Sequence, residues 1–188
     1  MADELTGRKI AILATDGVER VELERPRQAV TDAGAEVTLL TIDDLEIKVF
    51  EHDEGPAATE QADGLVEGFT QADFDALLLP GGVANPDKLR ADEQAVAFAR
   101  GFFEAKKPVA AICHAPWLLV EAGVVDGRKV TSYPSVKTDL VNAGANWVDE
   151  EVVVDEGFVT SRSPDDLDAF CAKVVEEFAE GRHEAQHA

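Results

Sequence analysis

Pro108-Val-Ala-Ala-Ile-Cys113-His114-Ala115-Pro116-Trp-Leu-Leu-Val-Glu-Ala-Gly123 is the stretch whose reading decides the fold. The apolar run behind Pro108 predicts a short buried strand, and Trp117, Leu118 and Leu119 with a closing Gly123 predict the helix that follows. Cys113 falls on the turn between them. A strand-to-helix elbow lifts a side chain above the sheet and aims the helix N-terminus at it, and a thiol held there is biased toward thiolate. Cysteine is also among the most buried residue types, so the same position suits a core residue. Two neighbours favour a nucleophile: His114 is polar where continued burial calls for an apolar residue, and Pro116 suits the first turn of a helix.

Alternation of strands and helices extends in both directions. Lys9-Ile-Ala-Ile-Leu-Ala-Thr15 is an apolar run of strand length, suited to a parallel strand buried on both faces, and Asp16-Gly17 breaks it. Val21, Leu23, Ala29, Val30 and Ala33 predict an amphipathic helix over residues 18–33, with Gly34 as its stop and a bend or second start at Pro26. Glu36-Val-Thr-Leu-Leu-Thr-Ile42 is a second strand, completing a β-α-β unit with a right-handed crossover. Residues 43–72 are polar and weakly periodic and read as connecting loops with room for a short hairpin; His52 reads there as a solvated loop residue.

Asp75-Ala-Leu-Leu-Leu-Pro-Gly-Gly82 gives a third strand ending in a glycine pair, which either turns tightly or lets a ligand approach free N–H groups. Asn85-Pro86-Asp87 predicts a helix start with Asn85 as cap, and Leu89, Val96, Phe98, Ala99, Phe102 and Phe103 its buried face. Beyond the elbow come a strand at Lys129, a helix near residues 136–143, strands at 151–155 and 158–162, and a last helix capped at Ser163-Pro164-Asp165-Asp166. Cys171 lies on the apolar stripe of that helix and reads as core. This order defines a doubly wound α/β domain with a mostly parallel sheet flanked by helices on both faces. Function in such sheets collects at the carboxyl ends of the strands, where residues 15–19, Gly81-Gly82 and Cys113-His114 should meet.

The 188 residues fit one domain, with an ordered core over about residues 8–180 and a polar tail at 181–188. No apolar stretch approaches the roughly 20 residues that span a bilayer, and the first residues lack the apolar core of a signal peptide, so a cytoplasmic protein is expected. Two cysteines are too few for a disulfide framework. With 38 Asp plus Glu against 17 Lys plus Arg, the formal net charge is −21. That excess argues against nucleic acid or anionic membranes as partners. It reads as a hydrated acidic surface of a protein that works at high salt. The four histidines are scattered, with His183 and His187 in the tail, so neither a metal site nor a cofactor is expected.

Leu79-Pro-Gly-Gly82, Ala111-Ile-Cys-His-Ala-Pro116, Gly127-Arg-Lys129, Thr131-Ser-Tyr-Pro134, Asn142-Ala-Gly144, Glu151-Val-Val-Val-Asp155 and Thr160-Ser-Arg162, with Val18-Glu-Arg-Val-Glu-Leu23 near the start, resemble the PfpI-type intracellular protease family. That family lies within the larger group of the parkinsonism-associated protein deglycase, which has the flavodoxin-like class I glutamine amidotransferase fold. The resemblance covers roughly residues 8 to 180. It implies that Cys113 is the nucleophile, that the N–H groups of Gly82 and His114 form an oxyanion hole, and that Glu19 faces the thiol as a protonated proton shuttle. It also implies a homo-oligomer, dimer or hexamer.

In the protease branch His114 is the general base, oriented by an acidic residue of a neighbouring subunit, for which Asp87 is the match. The family usually has Glu there on a shorter loop, and Gly where this chain has Ala115. The expected activity is therefore of the glyoxalase or deglycase type, with Cys113 adding to methylglyoxal or to its early adducts with proteins. A cysteine peptidase using Cys113, His114 and Asp87 is the alternative, and a redox-sensing stress protein or holdase is a third reading from another class. An amidotransferase lacks its distant His and Glu partners.

Overall fold

The computed structural model describes residues 3–52 and 54–186; His187 lies outside the described residues. Among the described residues there are twelve strands: β1 (Lys9–Leu13), β2 (Val18–Glu19), β3 (Glu36–Thr41), β4 (Glu46–Phe50), β5 (Pro56–Gln61), β6 (Gly64–Leu65), β7 (Ala76–Leu79), β8 (Val109–Ile112), β9 (Lys129–Val130), β10 (Asn146–Trp147), β11 (Val152–Asp155) and β12 (Phe158–Ser161). The helices are α1 (Arg20–Asp32), α2 (Ala84–Arg90), α3 (Glu93–Glu104), α4 (Pro116–Glu121), α5 (Lys137–Asn142) and α6 (Leu167–Glu180).

Seven strands form the central sheet in the order β11-β12-β8-β7-β1-β3-β6. Its pairings are parallel except for the β11–β12 hairpin at one edge. Side chains of a strand alternate between faces, and both faces here are covered, which is why the central strands are apolar throughout. Ile10, Ile12, Leu78, Ala110 and Ile112 pack on one side with Leu23 and Val30 of α1 and Phe170, Val174 and Phe178 of α6. Ala11, Leu13, Leu77, Leu79 and Ala111 pack on the other with Phe98, Phe102 and Phe103 of α3 and Leu118 and Leu119 of α4. The doubly wound expectation is met. No helix among the described residues is long and apolar enough to cross a membrane.

Several local expectations change. Residues 18–33 divide into β2 and α1, and α1 runs on through a buried Pro26. Residues 43–72 hold a real hairpin, β4–β5, which joins β2 in a separate three-stranded sheet. The single helix expected after Asn85 is two helices, with Asp92 capping the second through its side chain to the Ala95 N–H. Asn85 is not a cap. It lies inside α2, fully buried, where its amide accepts from the Thr15 N–H at 2.8 Å and donates to the carbonyls of Pro80 and Gly81 at 2.9 and 3.0 Å. A buried amide with partners on two loops ties the end of β1 to the glycine pair, and this use outcompetes capping. Ser163 makes no side-chain cap either; Asp166 instead anchors Arg162 at 2.8 Å.

Candidate active site

Three strand ends converge as the topology requires. Cys113 follows β8 directly and adopts φ +64°, left-handed backbone that costs a non-glycine residue energy and must be held by its surroundings. The holding bonds run both ways: the Cys113 N–H donates to the Ser161 carbonyl at 3.1 Å, and the Cys113 carbonyl accepts from the Tyr133 N–H at 2.9 Å. The backbone N–H groups of Gly82 and His114 both face the Cys113 sulfur.

The glycine pair permits this approach. A Cβ on Gly81 would lie 2.5 Å from Glu22 Oε2 and 2.7 Å from Cys113 Cβ, and one on Gly82 would lie 2.4 Å from the Gly17 carbonyl oxygen. No larger residue fits either place. Gly82 also has φ +79°.

The carboxyl group hydrogen-bonded to the thiol belongs to Glu22. Glu22 is fully buried on the first turn of α1, and its Oε2 accepts the Gly81 N–H at 3.0 Å. Burial, first of all, pushes this carboxyl from its ordinary 4.5 up to about 8, and the charge of Glu19 adds to the rise. Burial also pushes the Cys113 thiol up, and the charge of Glu22 pushes it further, while the N–H groups of Gly82 and His114 pull it down. Thiol and carboxyl therefore titrate as one coupled pair, and neither ionises easily while the other is charged.

Glu19, the carboxylate expected against the thiol, is also buried and lines the same cleft, but it sits on β2, one helical turn before Glu22. The contact with the thiol expected of Glu19 is made by Glu22. A signal for this lies in the sequence: Glu22 shares the buried stripe of α1 with Pro26 and Val30 at a spacing of four, which marks it as a carboxylate pointing inward.

His114 is buried beside the nucleophile. Its Nδ1 lies 3.0 Å from Cys113 Sγ and its Nε2 3.0 Å from Ser135 Oγ, and its ring stacks on Tyr133 with centroids 4.6 Å apart. Asp87 is exposed on α2, outside the residues that line the cleft. Within this chain it is Ser135 that holds the far ring nitrogen. The cleft, about 320 Å³, is completed by His52, Val83, Tyr133 and Pro164. His52, read from sequence as a plain loop residue, is exposed but stands at the cleft rim with φ +55°. Cys171 is buried on α6, where burial pushes its thiol to about 11. A larger concavity, about 880 Å³, opens at the amino ends of the strands between Lys9, Glu36, Asp75 and Lys107, away from all of this chemistry.

The sequence profile of the DJ-1/PfpI family matches residues 8–177. The chain belongs to the DJ-1/PfpI family. Among its relatives, protein/nucleic acid deglycase 2 of Escherichia coli is 46% identical over 165 residues, covering 87% of this chain and 94% of that one. YraA of Bacillus subtilis, whose name assigns it provisionally to the cysteine proteases, is 44% identical over 163 residues, with 87% and 94% covered. The crystal structure of Drosophila melanogaster DJ-1beta superposes with a TM-score of 0.83 at 29% identity, covering 92% of this chain and 90% of that one. The DJ-1/PfpI assignment agrees with the elbow, the glycine pair and the sheet order described above.

Proposed function

We propose that this DJ-1/PfpI protein is a stress-protective enzyme that acts on methylglyoxal or on the early adducts methylglyoxal forms with proteins, with Cys113 as nucleophile. The observation that carries this reading is the buried Glu22 carboxyl hydrogen-bonded to the Cys113 thiol and pushed up to about 8. A carboxyl with that affinity for its proton holds it at neutral pH and gives it up to a stronger base, which is what a proton shuttle needs.

The pair acts after losing one of its two protons. The thiolate adds to the aldehyde carbon, a C–S bond forms, and the former carbonyl oxygen takes the proton of Glu22 while the Gly82 and His114 N–H groups stabilise its developing charge. Glu22, now a carboxylate, removes the hydrogen from that carbon as a proton and returns it to the adjoining carbonyl carbon, while the hydroxyl proton of the first carbon passes to the oxygen of the second. The aldehyde carbon is thereby oxidised to a thioester and its neighbour reduced to an alcohol. Water cleaves the C–S bond, releasing lactate and the thiol, so the net change is the addition of one water. With an adduct, the C–N or C–S bond to the protein breaks first, the protein amine or thiol taking the hydroxyl proton, and the restored aldehyde then meets the thiolate as above. The name of the E. coli relative supports the deglycase form of this reading.

A cysteine peptidase is the second reading, favoured by the 3.0 Å approach of His114 Nδ1 to Cys113 Sγ. It requires the base to be oriented from outside, by Asp87 of a neighbouring subunit, or by Ser135 from within.

The deciding experiment is lactate formation from methylglyoxal in molar KCl by wild type, Cys113→Ala and His114→Ala, with a fluorogenic peptide in parallel. Lactate formation lost in Cys113→Ala and largely kept in His114→Ala supports the glyoxalase or deglycase reading. Peptide cleavage that needs His114 replaces it with the peptidase. A folded wild type that turns over neither substrate leaves the sensor or holdase.

A further inference from the structure

We propose that the concavity of about 880 Å³ at the amino ends of the central strands binds a small phosphate ester that also carries hydroxyl groups, as a sugar phosphate does. It lies at the opposite end of the sheet from Cys113, and the chemistry proposed for Cys113 uses none of its residues. Its walls come from five separate segments: the starts of β1 and β3, residues 68–75 ahead of β7, Lys107 ahead of β8, and the turn that follows α6.

Four cations line it, Arg8, Lys9, Lys107 and Arg182. In a chain with 38 Asp plus Glu against 17 Lys plus Arg, a basic side chain readily finds a carboxylate, as Arg20, Arg25, Arg27, Lys48, Arg100 and Lys129 do. None of the four in the concavity forms an ion pair with any of the described residues. Their partners are neutral or absent. Arg8 Nη2 donates to the Ala179 carbonyl at 2.9 Å, and the rest of its guanidinium N–H groups make no bond to the described residues. Gly181, with φ +84°, leaves room for that guanidinium, since a Cβ there would lie 3.1 Å from Arg8 Nη2. Lys107 is only 7% exposed, and its ammonium donates to the carbonyls of Gln71 and Phe74 at 2.6 and 2.5 Å. Burial, and after it the charge of Arg182, lowers the proton affinity of Lys107. Cations gathered in this way repel one another, and a bound anion relieves all of them at once.

The same wall fixes the class of anion. The net charge of −21 repels an extended polyanion, whereas the field inside a concavity is set by the groups that line it, so the ligand is small. Guanidinium forks match the oxygens of a phosphate. Glu36, Asp73 and Asp75 also line the concavity. Asp73 Oδ2 accepts the Thr70 N–H at 2.8 Å and Asp75 Oδ2 accepts the Lys9 N–H at 2.9 Å, which fixes both carboxylates and leaves Oδ1 of each without a hydrogen bond to the described residues. Such oxygens repel a bare phosphate and accept hydroxyl hydrogens. Cations and carboxylates together therefore select a phosphate attached to a hydroxyl-bearing body, and the volume is in the range of small-molecule sites.

The test is calorimetric titration of glucose 6-phosphate into the full chain, at the lowest KCl concentration that keeps it folded, with inorganic phosphate and glucose titrated separately. One equivalent of glucose 6-phosphate per chain is expected, bound about tenfold or more tightly than inorganic phosphate, and glucose should not bind at the same concentrations. Arg182→Gln and Lys9→Gln, both at exposed positions and each checked by its unfolding transition, should weaken binding about tenfold. Lys129→Gln removes the same charge from an ion-paired lysine outside the concavity and should stay within about twofold of wild type. No binding of glucose 6-phosphate, binding that neither Arg182→Gln nor Lys9→Gln weakens, or an equal loss in Lys129→Gln would overturn the site. Inorganic phosphate bound as tightly as glucose 6-phosphate would overturn the assignment to a hydroxyl-bearing ester.

Discussion

The Glu22 carboxyl group is hydrogen-bonded to the Cys113 thiol, although one residue comes from the first helix and the other from the turn that follows β8. Both are buried, and Gly81 donates its N–H to the same carboxyl. Everything proposed for the chemistry of this chain rests on that pair.

The first prediction concerns pH. Glu22 ionises near 4.5 in the unfolded chain and near 8 in the fold, so between those values the native state holds a proton that the unfolded state has lost. The contribution of this group to unfolding free energy therefore falls as pH rises from 4.5 to 8, by at most about 1.4 kcal/mol per pH unit, and is level on either side. Denaturant unfolding of wild type and Glu22→Gln across that range should give curves that diverge with pH, the variant becoming the more stable at the upper end. Parallel curves would show that Glu22 titrates normally in the fold.

Glu19 raises the proton affinity of Glu22 through its charge. In Glu19→Gln, the carbon-13 carboxyl resonance of Glu22 should titrate at lower pH than in wild type. An unchanged midpoint would mean that the two carboxyls do not sense one another.

Asn85 links the end of β1 to the glycine pair through bonds to Thr15, Pro80 and Gly81. Asn85→Ala removes the side-chain partner of the Thr15 N–H and of the Pro80 carbonyl, the Gly81 carbonyl keeping the Glu19 N–H, and should cost about 2–4 kcal/mol in denaturant unfolding. It should also slow turnover, because the Gly81 N–H that holds Glu22 moves with the loop. A loss below about 0.5 kcal/mol would show that water takes over these bonds.

Gly81→Ala drives a methyl group against Glu22 and Cys113. Activity should fall more than thermal stability, since the clash falls on the reacting groups themselves. Full turnover in this variant would mean that the glycine pair is only a turn.

The formal charge of −21 predicts a melting temperature that climbs with KCl. At molar salt the screening length shrinks to about 3 Å, and repulsion among exposed carboxylates is damped. A melting temperature indifferent to molar KCl would leave the acidic surface without this explanation.

How far the sequence could be read follows from these residues. The apolar runs at Lys9, Asp75 and Pro108 identify parallel core strands because burial on both faces removes polar alternatives, and the elbow at Cys113 follows from strand and helix signals on either side. The β4–β5 hairpin was only outlined, since its outer strand is exposed and polar and carries no apolar period. Asn85 reads as a cap because its neighbours form a local capping pattern, while its true partners are set by tertiary contacts. The choice between Glu19 and Glu22 depends on where α1 begins, and a one-turn uncertainty at a helix start exchanges one carboxylate for the other. The docking of His183 against Gly157 had no local signal at all.

The central claim is that Glu22 carries the proton for Cys113. The most direct measurement is the rate of lactate formation from methylglyoxal by Glu22→Gln and Glu19→Gln side by side, with folding of each verified by its unfolding transition. The account predicts that Glu22→Gln loses about 10²-fold or more in kcat while Glu19→Gln stays within about tenfold of wild type. Near-wild-type turnover by folded Glu22→Gln, or the larger loss in Glu19→Gln, would contradict it.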